Sequence, residues 1–170
     1  MLNSRRSVSP LTRGRGHTST VRSYGRRLTS AFRNRLSTSL VEPEWLTLDD
    51  VLAIHEDQIE RYGGPEGVRD QGLVASAIHR PQQMHHYDGE RDILTLAIRL
   101  GIGIAANHGF VDGNKRAGAF AMIEFLAING AWLEMPNDTR LARLFLLTLG
   151  KRMGEEDLGD VLSKYLMVLD

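Results

Sequence analysis

The stretch RDILTLAIRLGIGIAANH, residues 91–108, restricts the fold more than any other part of the chain. It places Ile93, Leu94, Ala97, Ile98, Gly101, Ile104 and Ala105 at spacings of three and four, the period of a helix face. Arg99 is the one charge inside its apolar run. The segment therefore reads as a buried central helix, and Gly101 lets a neighbouring helix come close. A helix of this kind needs others around it, so the chain reads as an all-α bundle.

The rest of the sequence from Trp45 onward supplies those helices. Thr47 with Asp50 three residues later forms a capping-box pattern opening TLDDVLAIHEDQIERYGG, and Gly63 closes that helix. A short helix, DQGLVASAIHR, is expected to stop at Pro81. NKRAGAFAMIEFLAING is small-residue at its start and bulky later; TRLARLFLLTLGKR and EEDLGDVLSKYLMVL complete a bundle of about six helices. Only AWLEM suggests a short strand or extended link. The absence of cysteine excludes a disulfide frame, a thiolate metal site and a cysteine nucleophile, and fits a reducing cytoplasm. No run is apolar and long enough to span a bilayer, and the N-terminus lacks the apolar core of a secretory signal.

A formal net charge of zero conceals two opposed parts. Residues 1–41 hold nine arginines and no lysine, aspartate or glutamate, a charge of +9; residues 42–170 hold 12 basic and 21 acidic residues, a charge of −9. The first part is rich in Arg, Ser, Thr and Gly with no sustained period, and cannot bury enough apolar area to offset its ordering entropy. It is expected to be a disordered extension preceding a single domain at 42–170. Val41 lies just before the ordered pattern, where translation can begin on a valine codon. A functional arm has two forms: a nucleic-acid contact through phosphates, or an organellar presequence. An acidic body makes nucleic acid an unlikely ligand of the folded domain.

Residues 107–118, NHGFVDGNKRAG, gather a histidine, a carboxylate, amides, a lysine and an arginine around two glycines. The central helix is expected to end near His108, with Gly109 left-handed. Asp112-Gly113 makes a turn, and Asn114 is expected to cap the next helix. The N–H groups of Gly113, Asn114 and Lys115 would then point out of a helix start, a ready anion site. Asp112 is placed to bring Mg²⁺ to a bound phosphate, and His108 to take a proton from an attacking hydroxyl. Each residue alone has a plainer reading as a cap, a turn or a dipole partner. The Lys115-Arg116 pair does not, because cations are disfavoured in a first helical turn unless an anion sits there. The loop is not a P-loop, since GxxxxGK followed by Ser or Thr is absent.

Two further features are weighed against it. HRPQQMHHYDGERD, residues 79–92, holds three histidines, and His85, His86 and Asp88 have metal-ligand chemistry. Adjacent histidines point in different directions unless the backbone is specially bent, so a flap or a polar loop is the better reading. His55 lies within the first helix and is expected to be packed or at the surface rather than catalytic.

The loop HGFVDGNKRAG resembles the HxFx(D/E)GNxR signature of the Fic/Doc superfamily, in the HxFxDxNKR form of its Doc (death-on-curing) branch. The resemblance runs from about residue 45 to 169, through YGG, GVRD, the A-x-x-RPQ segment and AMIEFLAINGAWLE, and leaves residues 1–41 outside. It implies a Fic/Doc-like helical bundle and a toxin of a toxin–antitoxin pair. Its activity would be transfer of the γ-phosphate of ATP, with Mg²⁺, to a protein hydroxyl, a threonine of elongation factor Tu. Carried over, His108 is the general base, Phe110 the loop anchor and Asp112 the Mg²⁺ ligand. Gly113, Asn114, Lys115 and Arg116 hold the phosphates, and Arg80, Gln82 and Tyr87 belong to a target-aligning flap. The resemblance also implies a small Phd-like antitoxin. AMP transfer is the alternative; that branch has glycine where Lys115 stands and a second arginine where this chain has Ala119. A second alternative is a nucleic-acid-binding module using the basic arm.

Overall fold

The structure is a computed structural model that describes residues 26–27, 42–136 and 139–169. Among these are six α-helices: α1 (Leu48–Tyr62), α2 (Gln71–Gln83), α3 (Ile93–Asn107), α4 (Asn114–Ile128), α5 (Arg140–Leu149) and α6 (Glu155–Leu162). Strands β1 (Arg26–Arg27), β2 (Ala131–Leu133) and β3 (Leu166–Val168) form one small antiparallel sheet in the order β1-β3-β2. Of the basic segment 1–41, only the two residues of β1 are described. The expectations of disorder, nucleic-acid contact or a presequence otherwise lie outside the described residues. No helix among the described residues is long and apolar enough to cross a membrane.

Helix α3 is the centre, as its period demands. Leu94, Leu96, Ala97, Ile98, Leu100, Gly101, Gly103, Ile104 and Ala105 are all buried, so nearly its whole circumference is covered. α4 crosses it closely where two glycines meet. A Cβ on Gly101 would lie 2.7 Å from the carbonyl oxygen of Gly118 and 2.9 Å from Met122 Cβ. This crossing sets the end of α3 beside the start of α4, and so shapes the loop between them. α2 covers another side of α3, where a Cβ added to Gly103 would make ordinary contact with Ala77 at 3.5 Å.

Local chemistry defines the helix starts. The Thr47 hydroxyl accepts from Asp50 N at 3.2 Å while Asp50 Oδ2 accepts from Thr47 N at 2.8 Å, the reciprocal capping box that opens α1. α1 ends at Gly63, φ +74°, whose N–H bonds Ile59 O. Asp70 caps α2 through Oδ1 to the amides of Gly72 and Leu73. Asp92 caps α3 by accepting from Thr95 N.

Two expected boundaries are corrected. α2 does not stop at Pro81 but continues to Gln83 and then widens into a single π-turn, Met84–Asp88, closed by left-handed Gly89. Proline removes one N–H from the ladder, but the Pro81 ring is buried against the core, and that burial favours continuing the helix. The segment read as one last helix also divides: α6 ends at Leu162, and Leu166–Val168 pairs with Ala131–Leu133 as β3. Leu166 and Met167 are buried, so these residues serve the core as well in a strand as they would in a helix. Local periodicity cannot choose between the two; the partner strand β2 does.

Candidate active site

The loop from His108 to Gly113 is fastened through backbone groups of Gly109, Phe110, Val111 and Asp112. The carbonyl of Gly109 accepts from both Arg69 N and Asp70 N, at 2.8 and 3.0 Å. Val111 N donates to Gly67 O at 3.0 Å, so residues 67–70 run alongside the loop, bridging at Val68 and Phe110. Asn114 reaches back across the turn: Phe110 N donates to its Oδ1 at 2.9 Å, and its Nδ2 donates to Phe110 O at 3.0 Å. His55 Nε2–H donates to Asp112 O at 2.9 Å, since a carbonyl can only accept. Buried backbone groups need partners, and here the partners come from three separate places: the 67–70 segment, α1 and α4.

Phe110 is the loop's inward anchor, fully buried and stacked flat on the buried His55 ring. That gives His55 a positioning task which its place in α1 does not announce. Gly113 is the left-handed residue before α4, φ +76°, and a Cβ there would meet Ile59 and the His55 ring at 3.0–3.3 Å.

Two local expectations change. The left-handed residue ending α3 is His108 itself, φ 53° and ψ 39°, not Gly109. Histidine enters this region more readily than most residues but remains strained there. Gly109 is glycine for want of space: a Cβ would lie 2.5 Å from Val74 Cγ2 and 3.2 Å from Asp70 O. Nor is Asn114 the cap of α4. It is the first helical residue, Gly113 precedes it, and its amide clamps Phe110 instead.

Exposed His108, Asp112 and Lys115 line a shallow cleft with Asn114, Arg116 and Arg69. The first amides of α4 have no intrahelical carbonyl to bond, so this end of the cleft suits an anion. Arg116 donates to Gln58 O at 3.2 Å and Gly63 O at 2.9 Å and lies 3.7 Å from Asp112 Oδ2. Those bonds lock α1 to α4 and occupy two of the five N–H donors of a guanidinium. Gly64, φ +124°, lets the chain pass Asp112, because a Cβ there would be 2.5 Å from Oδ2.

The residues expected to share one site thus meet: His108, Phe110, Asp112, Gly113, Asn114, Lys115 and Arg116. Arg80, Gln82 and Tyr87 lie instead at the end of α2 and in the π-turn, Tyr87 85% exposed, and none of them lines this cleft. The segment beside the loop is 67–70, and its Arg69 is the site residue that the sequence reading missed. Its sequence signal is the GVRD segment of the resemblance, in which it carries no stated role; the pairing with Gly109 is tertiary.

The fold and loop together define an all-α protein with a histidine-bearing turn between its two central helices, beside a helix start that suits an anion. Residues 45–126 match the family described as the Fic/DOC family. The chain is 30% identical over 113 residues to "Protein kinase doc" of Escherichia phage P1, covering 66% of this chain and 86% of that protein. It is 38% identical over 91 residues to "Toxin Doc" of Mycolicibacterium smegmatis, covering 53% of this chain and 68% of that one. The chain belongs to the Fic/Doc family, on its Doc branch.

Proposed function

We propose that this Doc-branch transferase moves the γ-phosphate of ATP to a protein hydroxyl, a threonine of elongation factor Tu, and so stops translation in the bacterial cytoplasm. The observation that carries this reading is a division of labour within the loop. Its backbone is occupied by Arg69, Asp70, Gly67, Asn114 and His55, while the side chains of His108, Asp112 and Lys115 and the first amides of α4 border one cleft. Such preorganised donors around a reacting phosphate are the main catalytic resource in phosphoryl transfer.

An imidazole nitrogen of His108 takes the proton of the target hydroxyl as its oxygen attacks the γ-phosphorus, and the bond from that phosphorus to the β,γ-bridging oxygen breaks, with ADP leaving. The amides of Gly113, Asn114 and Lys115 cradle phosphate oxygens, and Lys115 and Arg116 clamp their charge. Mg²⁺ fits the donor set: Asp112 offers a half-exposed carboxylate beside the cradle, and magnesium favours one or two carboxylates with phosphate oxygens. When bound, the ion neutralises charge on the phosphates. The phage relative is named a protein kinase, which supports γ-phosphate transfer. So does Lys115, a bulky cation where AMP-transferring relatives have glycine. Ala119, where they carry a second arginine, is packed against the core and offers no charge to the cleft. AMP transfer is the second reading, favoured by the generic fitness of the same loop for either end of a triphosphate.

The relatives' names also support a small Phd-like antitoxin as partner. A body with a charge of −9 gives an acidic partner no bulk attraction, so its hold should come from an amphipathic helix buried in a groove. The deciding experiment is mass spectrometry of elongation factor Tu after incubation with the protein, Mg²⁺ and ATP, beside His108→Ala. A His108-dependent gain of one phosphate is expected. A gain of AMP transfers the assignment to the second reading, and an unmodified factor removes it as the target.

A further inference from the structure

We propose that Glu42, His85 and His86 form a Zn²⁺ site, separate from the loop, that ties the chain's entry into the fold to the π-turn after α2. One ligand atom from each of the three lies within 4.8 Å of the others. The π-turn supplies the special bend that adjacent histidines need. It turns both rings to one carboxylate, with His85 Nε2 3.3 Å from Glu42 Oε2 and His86 Nε2 3.3 Å from Glu42 Oε1. The two ring planes stand 78° apart, so the rings are not stacked on one another.

Three features favour a metal over a plain ion pair. His85 Nδ1–H donates to Glu90 O at 2.9 Å, which leaves the lone pair of the neutral ring on Nε2, facing a carboxylate oxygen. In the neutral ring that Nε2 lone pair is free to ligate, and the His85 side chain is only 6% exposed. The spacing is also longer than the roughly 2.7–2.9 Å of a close charge-assisted bond. Each histidine nitrogen stands 3.3 Å from a different oxygen of Glu42, about the separation of donor atoms sharing a tetrahedral Zn²⁺ at about 2.0–2.1 Å, and one atom from each residue closes to within 4.8 Å. Finally, the outer contacts are those of a ligating set. Trp45 Nε1–H donates to Glu42 Oε1 at 2.6 Å and orients the carboxylate, as Glu90 O orients His85.

Two imidazoles and a carboxylate select Zn²⁺ among common ions, since Mg²⁺ prefers an all-oxygen shell. Glu42 and His86 are half-exposed, which leaves the fourth position to water. Glu42 lies at the junction with the basic segment, so a bound ion pins that junction and adds to the stability of the fold.

The test uses the full chain without an affinity tag, stripped by chelator and titrated with Zn²⁺ against a chromophoric competitor in excess Mg²⁺. One equivalent is expected to bind and to raise the thermal midpoint. His86→Ala and Glu42→Gln, both at half-exposed positions, are expected to weaken binding more than the roughly 10–100-fold typical of losing an outer-shell partner. Trp45→Phe is expected within that smaller range, and His108→Ala to bind like the parent. Absence of a stoichiometric equivalent overturns the proposal. So does an equivalent that survives both ligand variants, or one that disappears with His108.

Discussion

The His55 imidazole lies flat on the Phe110 ring, with 3.9 Å between centroids and 3° between planes, while its Nε2–H holds the carbonyl of Asp112. One side chain of α1 thus fixes both the anchor of the loop and the residue assigned to magnesium. His55→Phe preserves the stack and deletes the hydrogen bond. We expect a stability loss of about 1 kcal/mol by thermal or urea denaturation, with transfer activity falling much further. Activity equal to the parent's would show that Asp112 is placed without help from α1.

Asn114 separates two roles that predict opposite results. As an ordinary residue at a helix start, Asn114→Asp should be neutral or stabilising, because a carboxylate suits that end of the dipole. As the clamp seen here it must donate to Phe110 O as well as accept from Phe110 N, and aspartate cannot donate. We therefore expect Asn114→Asp to cost about 1–3 kcal/mol and to abolish transfer. A stability equal to or above the parent's would refute the clamp.

Gly109 answers to space and not to dihedral freedom. Gly109→Ala puts a methyl 2.5 Å from Val74 Cγ2, and neither the branched side chain nor the α2 backbone behind it yields easily. A loss of about 1–3 kcal/mol is expected from overpacking. Val74→Ala in the same chain should recover part of it, and a double-mutant cycle measures the coupling. Strict additivity would mean that the strain arises elsewhere.

These residues show what sequence alone makes legible here. The central helix follows from period and apolarity, the capping box from Thr47 and Asp50, and the site from reactive side chains crowded into one turn. Position along the chain also makes Phe110 an anchor. It does not tell whether an asparagine at a helix start caps the helix or reaches back, because both need the same residue at the same place. The left-handed residue was assigned to Gly109 because glycine adopts that conformation freely; crowding by α2 explains the glycine, and the strain falls on His108. The places of Arg69, which stands in GVRD, and of His55 beside the loop are hidden for one reason: each reaches it through contacts between elements distant in sequence. The π-turn was equally hidden, since no residue pattern distinguishes MHHYD as a widened turn from a polar loop.

The capping box carries a pH dependence. The hydrogen bonds from the Thr47 hydroxyl and amide hold the Asp50 carboxyl below its usual range. A carboxyl with a depressed folded value stabilises fully above its unfolded value of about 3.9 and loses that contribution as pH falls through the folded one. Asp50→Asn should therefore be less stable than the parent near neutrality, by up to about 1 kcal/mol. The two melting temperatures should approach each other below about pH 4. A gap independent of pH would assign the loss to shape and not to charge.

His108 sits where its proposed role and backbone comfort conflict. Its left-handed conformation disfavours any side chain, alanine more than histidine, and glycine not at all. Relief of about 1–2 kcal/mol in the folded state is partly offset by the greater freedom glycine gives the unfolded chain, about 0.4–1 kcal/mol. His108→Gly is accordingly expected to match or exceed the parent in denaturant midpoint, His108→Ala to fall below it, and both to be inactive in transfer. That order of stabilities, with activity lost in both variants, is what a strained catalytic base predicts. If His108→Gly unfolds more readily than His108→Ala, the imidazole is holding the loop together. The loss of transfer in either variant would then report a collapsed site instead of a missing base.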